Sequence, residues 1–306
     1  MKVICIGGGP SGLYFSIVLK KLLPQAQINV IERNPRGSTF GWGVVLSDGT
    51  MENLEGADTK TYESIKQTLA HWDDIEVYFK GECIRSSGHG FCGIGRQRLL
   101  DILEARALEL GVKLSFETEV DADDFADADV VVACDGIFSK TREKYAAAFH
   151  PQLETRRCRY TWLGTKRKFD AFTFIFKETL HGWFQAHCYQ FDGETSTFIV
   201  ETPEEVWQRA GLESMSKDES IAFCERLFAD HLNGEKLLSN SAHLRGSASW
   251  INFNRVINDK WWHKNIVLLG DAAATAHFSI GSGSKLGIES AICLAESLVK
   301  CKTREE

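Results

Sequence analysis

The sequence predicts an α/β fold in which a parallel sheet of the doubly wound kind is interrupted by an antiparallel β-sheet. Three observations carry that expectation. A β-branched run, Val3 to Ile6, passes through a glycine-rich turn into a helical pattern. Two further apolar runs, Val130 to Cys134 and Ile266 to Leu269, each lead into an aspartate beside a glycine. Near Cys158 the pattern changes to half-buried strands. The chain therefore divides into 1–157, the first part of the parallel-sheet domain; 158–256, an inserted sheet and helix; and 257–306, a return segment.

Taken in order, the first strand meets G-x-G-x-x-G as Gly7, Gly9 and Gly12. The first glycine allows the tight turn, the second admits a pyrophosphate to the backbone, and the third lets helix and strand pack closely. Pro10 and Ser11 open a helix running to Leu23, where Pro24 stops it. Its N-terminus offers unpaired N–H groups to an anion. A second strand, Ile28 to Ile31, ends in Glu32, followed by Arg33; this acid is placed to take ribose hydroxyls. A dinucleotide site follows from the set.

Composition narrows the partners. The chain has 306 residues and a formal charge of -7, which disfavours nucleic acid. Nine cysteines occur without a C-x-x-C pair, so neither a disulfide framework nor a metal site is expected. A reducing, cytoplasmic location follows, and no apolar run is long enough to suggest a membrane span. The acid-rich stretch from Glu117 to Asp129 reads as a solvated link before the Val130 strand.

Further on, Leu99, Leu103, Ala107 and Leu110 define one face of a helix closed by Gly111, with Arg96 at its start. Asp135 and Gly136 precede Ser139 and Arg142. The inserted strands are RYTWLG, AFTFIFK, WFQAHCYQF and TSTFIVE, the last two joined through Asp192-Gly193 as a hairpin. Ser216 and Glu219 have capping-box spacing. The return segment carries Gly270-Asp271 and a glycine turn, Gly281, Ser282 and Gly283, which opens the last helix.

In the order G-x-G-x-x-G, D-G-x-x-S-x-x-R and G-D, these motifs resemble the single-component FAD-dependent aromatic hydroxylases, the p-hydroxybenzoate hydroxylase family. The resemblance implies a Rossmann-like FAD-binding domain of the GR2 type. In it Asp271 holds the ribityl chain of the FAD whose pyrophosphate lies on Gly7 to Gly12. It also implies that Arg96 touches FAD and that the segment of Trp42 passes near the flavin; core packing is the equal reading for Trp42. The antiparallel sheet would roof a substrate cavity.

FGWGVVLSD, WLGTKRKFDAFTFIFKE, HGWFQAHCYQF and AHFSIGSGSKLG look like the branch containing salicylyl-CoA 5-hydroxylase and 2-aminobenzoyl-CoA monooxygenase, with the tryptophan hydroxylase of violacein synthesis more distant. The implied reaction uses NADH or NADPH and O2, acts through a C4a-hydroperoxyflavin, and hydroxylates an aryl-CoA thioester at C5. A free aromatic or indole substrate, or an FAD-binding domain without productive hydroxylation, are the alternatives. CoA-ester members often continue into a domain resembling old yellow enzyme, so a fused or partner reductase domain is a further expectation. Ala274 stands where the branch pattern leads us to expect histidine.

Alternation places Gln185, His187 and Tyr189 on one strand face. Gln185, His187 and His277 are the catalytic candidates. Arg167 and Lys168, in a basic run without acids, are candidates for CoA together with Tyr189.

Overall fold

In the computed structural model, residues 1–39, 41–240 and 250–301 are described; Phe40, which opens the FGWGVVLSD stretch, and the last five residues lie outside them. The parallel sheet has the spatial order Trp262–His263, Ile266–Leu268, Val130–Ala133, Lys2–Ile6, Gln27–Ile31 and Lys113–Ser115. Val3 to Ile6 pairs in parallel with Ile28 to Ile31 on one side and with Val130 to Ala133 on the other. The return strand then pairs with Val131 to Ala133, so the C-terminal segment completes the sheet begun at the N-terminus.

Strand alternation sends side chains to two cores. Val3, Cys5, Val30 and Val132 pack beneath the helices Pro10–Leu22, Arg96–Glu109 and Gly283–Lys300. Ile4, Ile6, Ile31, Val131 and Ala133 face the other side with Phe149. The first and last helices meet closely: a β-carbon at Gly287 would fall 2.3 Å from the Ser11 hydroxyl.

The inserted sheet runs in the order Leu237–Leu238, Pro151–Thr165, Ser196–Thr202, Gly182–Gln190, Phe172–Thr179, Ile75–Phe79 and Glu82–Ser86, with Ile251–Asn258 also pairing with the long strand. Two features differ from the sequence expectation. The long strand starts at Pro151 and crosses the expected boundary at 157/158, with an irregularity in pairing between Thr155 and Arg159. The strands at 75–86 come from the first segment, and pairing between such distant segments leaves no local periodicity to read.

The hairpin through Asp192-Gly193 forms as expected; Asp192 Oδ1 accepts from the backbone N–H groups of Glu194 and Thr195. Ser216 and Glu219 make both bonds of a capping box at the helix Lys217–Leu227. One face of the sheet, carrying Leu163, Phe184, Cys188 and Phe198, is sealed by Val206, Trp207 and Phe228. The other face turns toward the parallel-sheet domain.

Candidate functional site

The glycine turn, the end of the Gln27–Ile31 strand, the start of the Arg96 helix, Asp135-Gly136 and Asp271 line one cleft of about 330 Å³. It contains Gly7, Gly9, Pro10, Glu32, Arg33, Arg96, Asp135, Gly136 and Asp271. Gly7 has φ +114, and a β-carbon there would lie 2.2 Å from the Cys134 carbonyl oxygen, which explains the turn. At Gly9 an added β-carbon would meet nothing within 4 Å, so this backbone faces open space at the mouth of the helix.

Glu32 is fixed by the chain itself. Its Oε2 accepts from Gly8 N–H at 2.8 Å, and its Oε1 from the Asn34 backbone and side chain at 2.8 and 2.7 Å. A carboxylate offers about four acceptor positions, and with three taken one remains on Oε2 for a ribose hydroxyl. Asp135 is held through Oδ2, which accepts from Thr141 N–H and Oγ1 at 3.2 Å each, while its buried Oδ1 has no partner among the described residues. Arg142 closes the arrangement from behind: its guanidinium donates to the carbonyls of Ala272 and Ile137 at 3.1 and 2.5 Å, tying the first aspartate turn to the second.

Arg96 keeps a buried Nε without a partner among the described residues. Burial lowers its pKa, and the attraction of Asp271 and Tyr189 opposes that. Asp271 opens to the cleft, whose walls raise its carboxyl above the usual range while Arg96 pulls it down. Unpaired Asp135 Oδ1, unpaired Arg96 Nε and the bare Gly9 backbone are groups suited to the hydroxyls and phosphates of a dinucleotide. The residues present fit FAD.

Several expected contacts lie elsewhere. The Ser11 hydroxyl sits against Gly270 and Gly287, and Gly12 packs on Cys134, so both serve the helix–sheet joint. Gly270 itself bends the chain, with φ +63, into the short helical turn that carries Asp271. Trp42 packs its ring on Gly164 of the inserted sheet and lies 6.4 Å from the Phe191 ring. Gly281, Ser282 and Gly283 join a short turn to the last helix, with Gly281 against Val45. They do not line the cleft.

Above the cleft, strand register builds two neighbouring rows on one face of the inserted sheet: Tyr160, Glu201, Gln185 and Phe176, then Trp162, Ile199, His187 and Phe174. Glu201 sits at the centre of the catalytic candidates. Its Oε2 accepts from Gln185 Nε2 at 2.6 Å and lies 3.4 Å from His187 Nε2; its Oε1 lies 3.4 Å from His277 Nε2. Burial pushes the Glu201 carboxyl up, but His187, His277 and Gln185 outweigh it and hold the pKa at about 2. Tyr160, pushed up to about 12 by burial and then by Glu201 and Asp271, stands between this cluster and the cleft.

Sequence reasoning found both histidines and Gln185 but passed over Glu201. The alternation that ends TSTFIVE gave the signal, since it carries Glu201 onto the face of Ile199. Tyr189 also lies on this face, but its hydroxyl donates to the Gly43 carbonyl at 2.8 Å and the residue is buried, so it ties the inserted sheet to the strand Gly43–Ser47 instead of offering a surface for CoA. Arg167 stacks on Phe169, which belongs to the helix-covered face, away from His187. Lys168 is exposed, and acids from elsewhere enter the basic run: Arg156 pairs with Glu154, Arg159 with Glu204 and Lys166 with Glu194.

Comparison with known proteins agrees with this geometry. The family described as FAD binding domain matches residues 1–305. A salicyloyl-CoA 5-hydroxylase from Streptomyces sp is 41% identical over 97% of this chain and 58% of its own length. A 3-hydroxy-4-methyl-anthranilyl-[aryl-carrier protein] 5-monooxygenase from Streptosporangium sibiricum is 32% identical over 97% of this chain and 79% of its own. Among solved structures, a tetrameric 2-methyl-3-hydroxypyridine-5-carboxylic acid oxygenase superposes with a TM-score of 0.78 at 18% identity, covering 99% of this chain and 84% of that one. This last likeness bears on the fold alone.

Proposed function

The chain belongs to the FAD binding domain family, and from that membership we propose that it is an FAD- and NAD(P)H-dependent monooxygenase that hydroxylates an aromatic acyl group carried as a thioester. The observation that supports this most is the polar cluster of Gln185, His187, Glu201 and His277, set on the sheet face above a cleft fitted to FAD. The chain spans 58% of the length of the salicyloyl-CoA enzyme it matches.

The two curated relatives named above support a common substrate pattern. By their names, one acts on a 2-hydroxybenzoyl and the other on a 2-aminobenzoyl group, each on a carrier and each at position 5. That position is para to the 2-hydroxy or 2-amino donor, which raises the electron density there. FAD, when bound, supplies the redox chemistry with oxygen. The chain's own part is to bind and orient: the glycine turn, Asp135, Arg96 and Asp271 hold the cofactor, and the aromatic wall of Tyr160, Trp162, Phe174 and Phe278 flanks a ring and excludes water. His187, with Glu201 behind it, supplies the polar contact to the ring substituent.

The test is reduction of the FAD-loaded chain by NADH or NADPH under nitrogen, with and without salicyloyl-CoA or 2-aminobenzoyl-CoA, then admission of oxygen and mass analysis. Thioester-stimulated reduction with a gain of one oxygen is expected. Stimulation by a free aromatic but by neither thioester would replace the substrate class, and bound FAD that responds to no aromatic would remove the monooxygenase reading.

A further inference from the structure

We propose that Glu201 makes this site selective for rings bearing a hydrogen-bond donor, by turning His187 into an acceptor at Nδ1; the proposal rests on the aromatic-substrate reading above and names the substituent that reading requires. His187 is 2% exposed, and among the described residues neither ring nitrogen makes a hydrogen bond of good geometry. A buried imidazole left in that state is costly unless a ligand completes it.

The carboxylate decides which nitrogen is free. Glu201 is 5% exposed and ionised at neutral pH, so its oxygens only accept. Oε2 lies 3.4 Å from His187 Nε2, out of line for a hydrogen bond, but its negative charge favours the imidazole proton on that nitrogen and so the lone pair on Nδ1. Gln185 donates to the same oxygen at 2.6 Å and keeps the carboxylate turned toward the histidine. From the other side, His277 stands 3.4 Å from Oε1 and is itself fixed by Ser279 Oγ at 2.7 Å from its Nδ1.

The His187 ring is gripped edgewise by Phe174 and Phe278, at centroid distances of 5.1 and 5.7 Å. Those rings set His187 in apolar surroundings, with Nδ1 left as an acceptor that has no partner among the described residues. A phenolic hydroxyl or an arylamine donates into it; an ether oxygen meets another lone pair. In this arrangement His187 touches the substrate, and Glu201 is a positioning residue acting through the tautomer.

Two neutral probes of similar shape separate these cases, 2-aminobenzamide and 2-methoxybenzamide. Their binding to the FAD-loaded chain is read from the change in the flavin absorption spectrum and from calorimetry. The wild type is expected to favour the amine by at least about tenfold, the discrimination that one unmatched buried hydrogen bond gives. In Glu201→Gln the side-chain amide can donate to Nε2 and move the imidazole proton to Nδ1. The ratio then falls to unity or reverses, with FAD affinity retained as evidence of folding.

His187→Phe keeps an aromatic ring without nitrogens and is expected to abolish the preference as well. An unchanged ratio in Glu201→Gln, no preference in the wild type, or failure of both probes to bind would each overturn the assignment. A preference that depends on Glu201 in a chain that transfers oxygen to no aromatic would instead keep the assignment and remove the monooxygenase reading.

Discussion

A β-carbon added at Gly9 would meet nothing within 4 Å, whereas one added at Gly12 would fall 2.5 Å from Cys134 Sγ and 2.6 Å from the Gly7 carbonyl oxygen. The two glycines of one motif therefore fail differently. Gly9→Ala is expected to change the unfolding free energy of the ligand-free chain by less than about 1 kcal/mol while lowering FAD affinity at least about tenfold, since the methyl enters the space a phosphate would use. Gly12→Ala should cost about 1–3 kcal/mol by overpacking. Urea unfolding paired with FAD titration distinguishes them, and equal losses in both assays would erase the division. Glu201 gives a second residue-scale expectation. Its carboxyl is depressed to about 2, so the stability it contributes is fully present above the ordinary carboxyl value of about 4.3 and drains away as pH falls from there toward 2. On the order of 3 kcal/mol is at stake in that window. Urea midpoints of the wild type should fall across it more steeply than those of Glu201→Gln; parallel profiles would show that the histidines do not hold the carboxylate ionised.

Asp58 joins three helices at one carboxylate. It caps Thr59–Lys66 by accepting from Thr61 N–H, takes a two-pronged bond from Arg106 of the helix Arg96–Glu109 at 2.9 Å each, and pairs with Lys21 of the first helix at 2.9 Å. At 1% exposure it cannot be replaced by water. Asp58→Ala leaves a half-buried guanidinium and a helix end unpaired, and about 3–5 kcal/mol of stability should go with it. Thermal unfolding of the ligand-free chain reads this directly; a loss under about 1 kcal/mol would mean that the ion pairs behave as surface pairs. None of this was legible in the sequence, where Asp58 is one acid among many. By contrast two of the three helices were, the first helix and Arg96–Glu109, where Leu99, Leu103 and Ala107 repeat at helical spacing and Gly111 follows at φ +82, while Thr59–Lys66 was not. Periodicity shows which face is buried, but a charge partner from a distant helix has no periodicity.

At the scale of the molecule, the two ends of the chain meet because residues 266–268 pair with 131–133, which pair with the first strand. Motif order made this much readable: an aspartate after each of two buried runs belongs at one edge of one sheet. What was not readable is how the inserted sheet is locked to that edge. A β-carbon at Gly164 would lie 2.7 Å from the Trp42 ring, and one at Gly41 would lie 3.1 Å from the Trp162 ring, so each partner supplies a tryptophan to the other's glycine. Isolated tryptophans and glycines carry no such address, and Trp42 therefore read equally well as a flavin neighbour. The lock reaches the cleft through the backbone, since the Trp42 carbonyl accepts from Arg96 N–H at 2.8 Å at the start of the helix that lines it. Gly164→Val should consequently do more than cost about 1–3 kcal/mol by overpacking. By displacing Trp42 it should loosen Arg96 and weaken FAD binding several-fold, although Gly164 does not line the cleft. Trp42→Ala in the same background removes the ring that valine strikes and should restore part of the FAD affinity. If Gly164→Val lowers stability but leaves FAD affinity at the wild-type value, the sheet and the cleft are mechanically independent and the interlock serves packing alone.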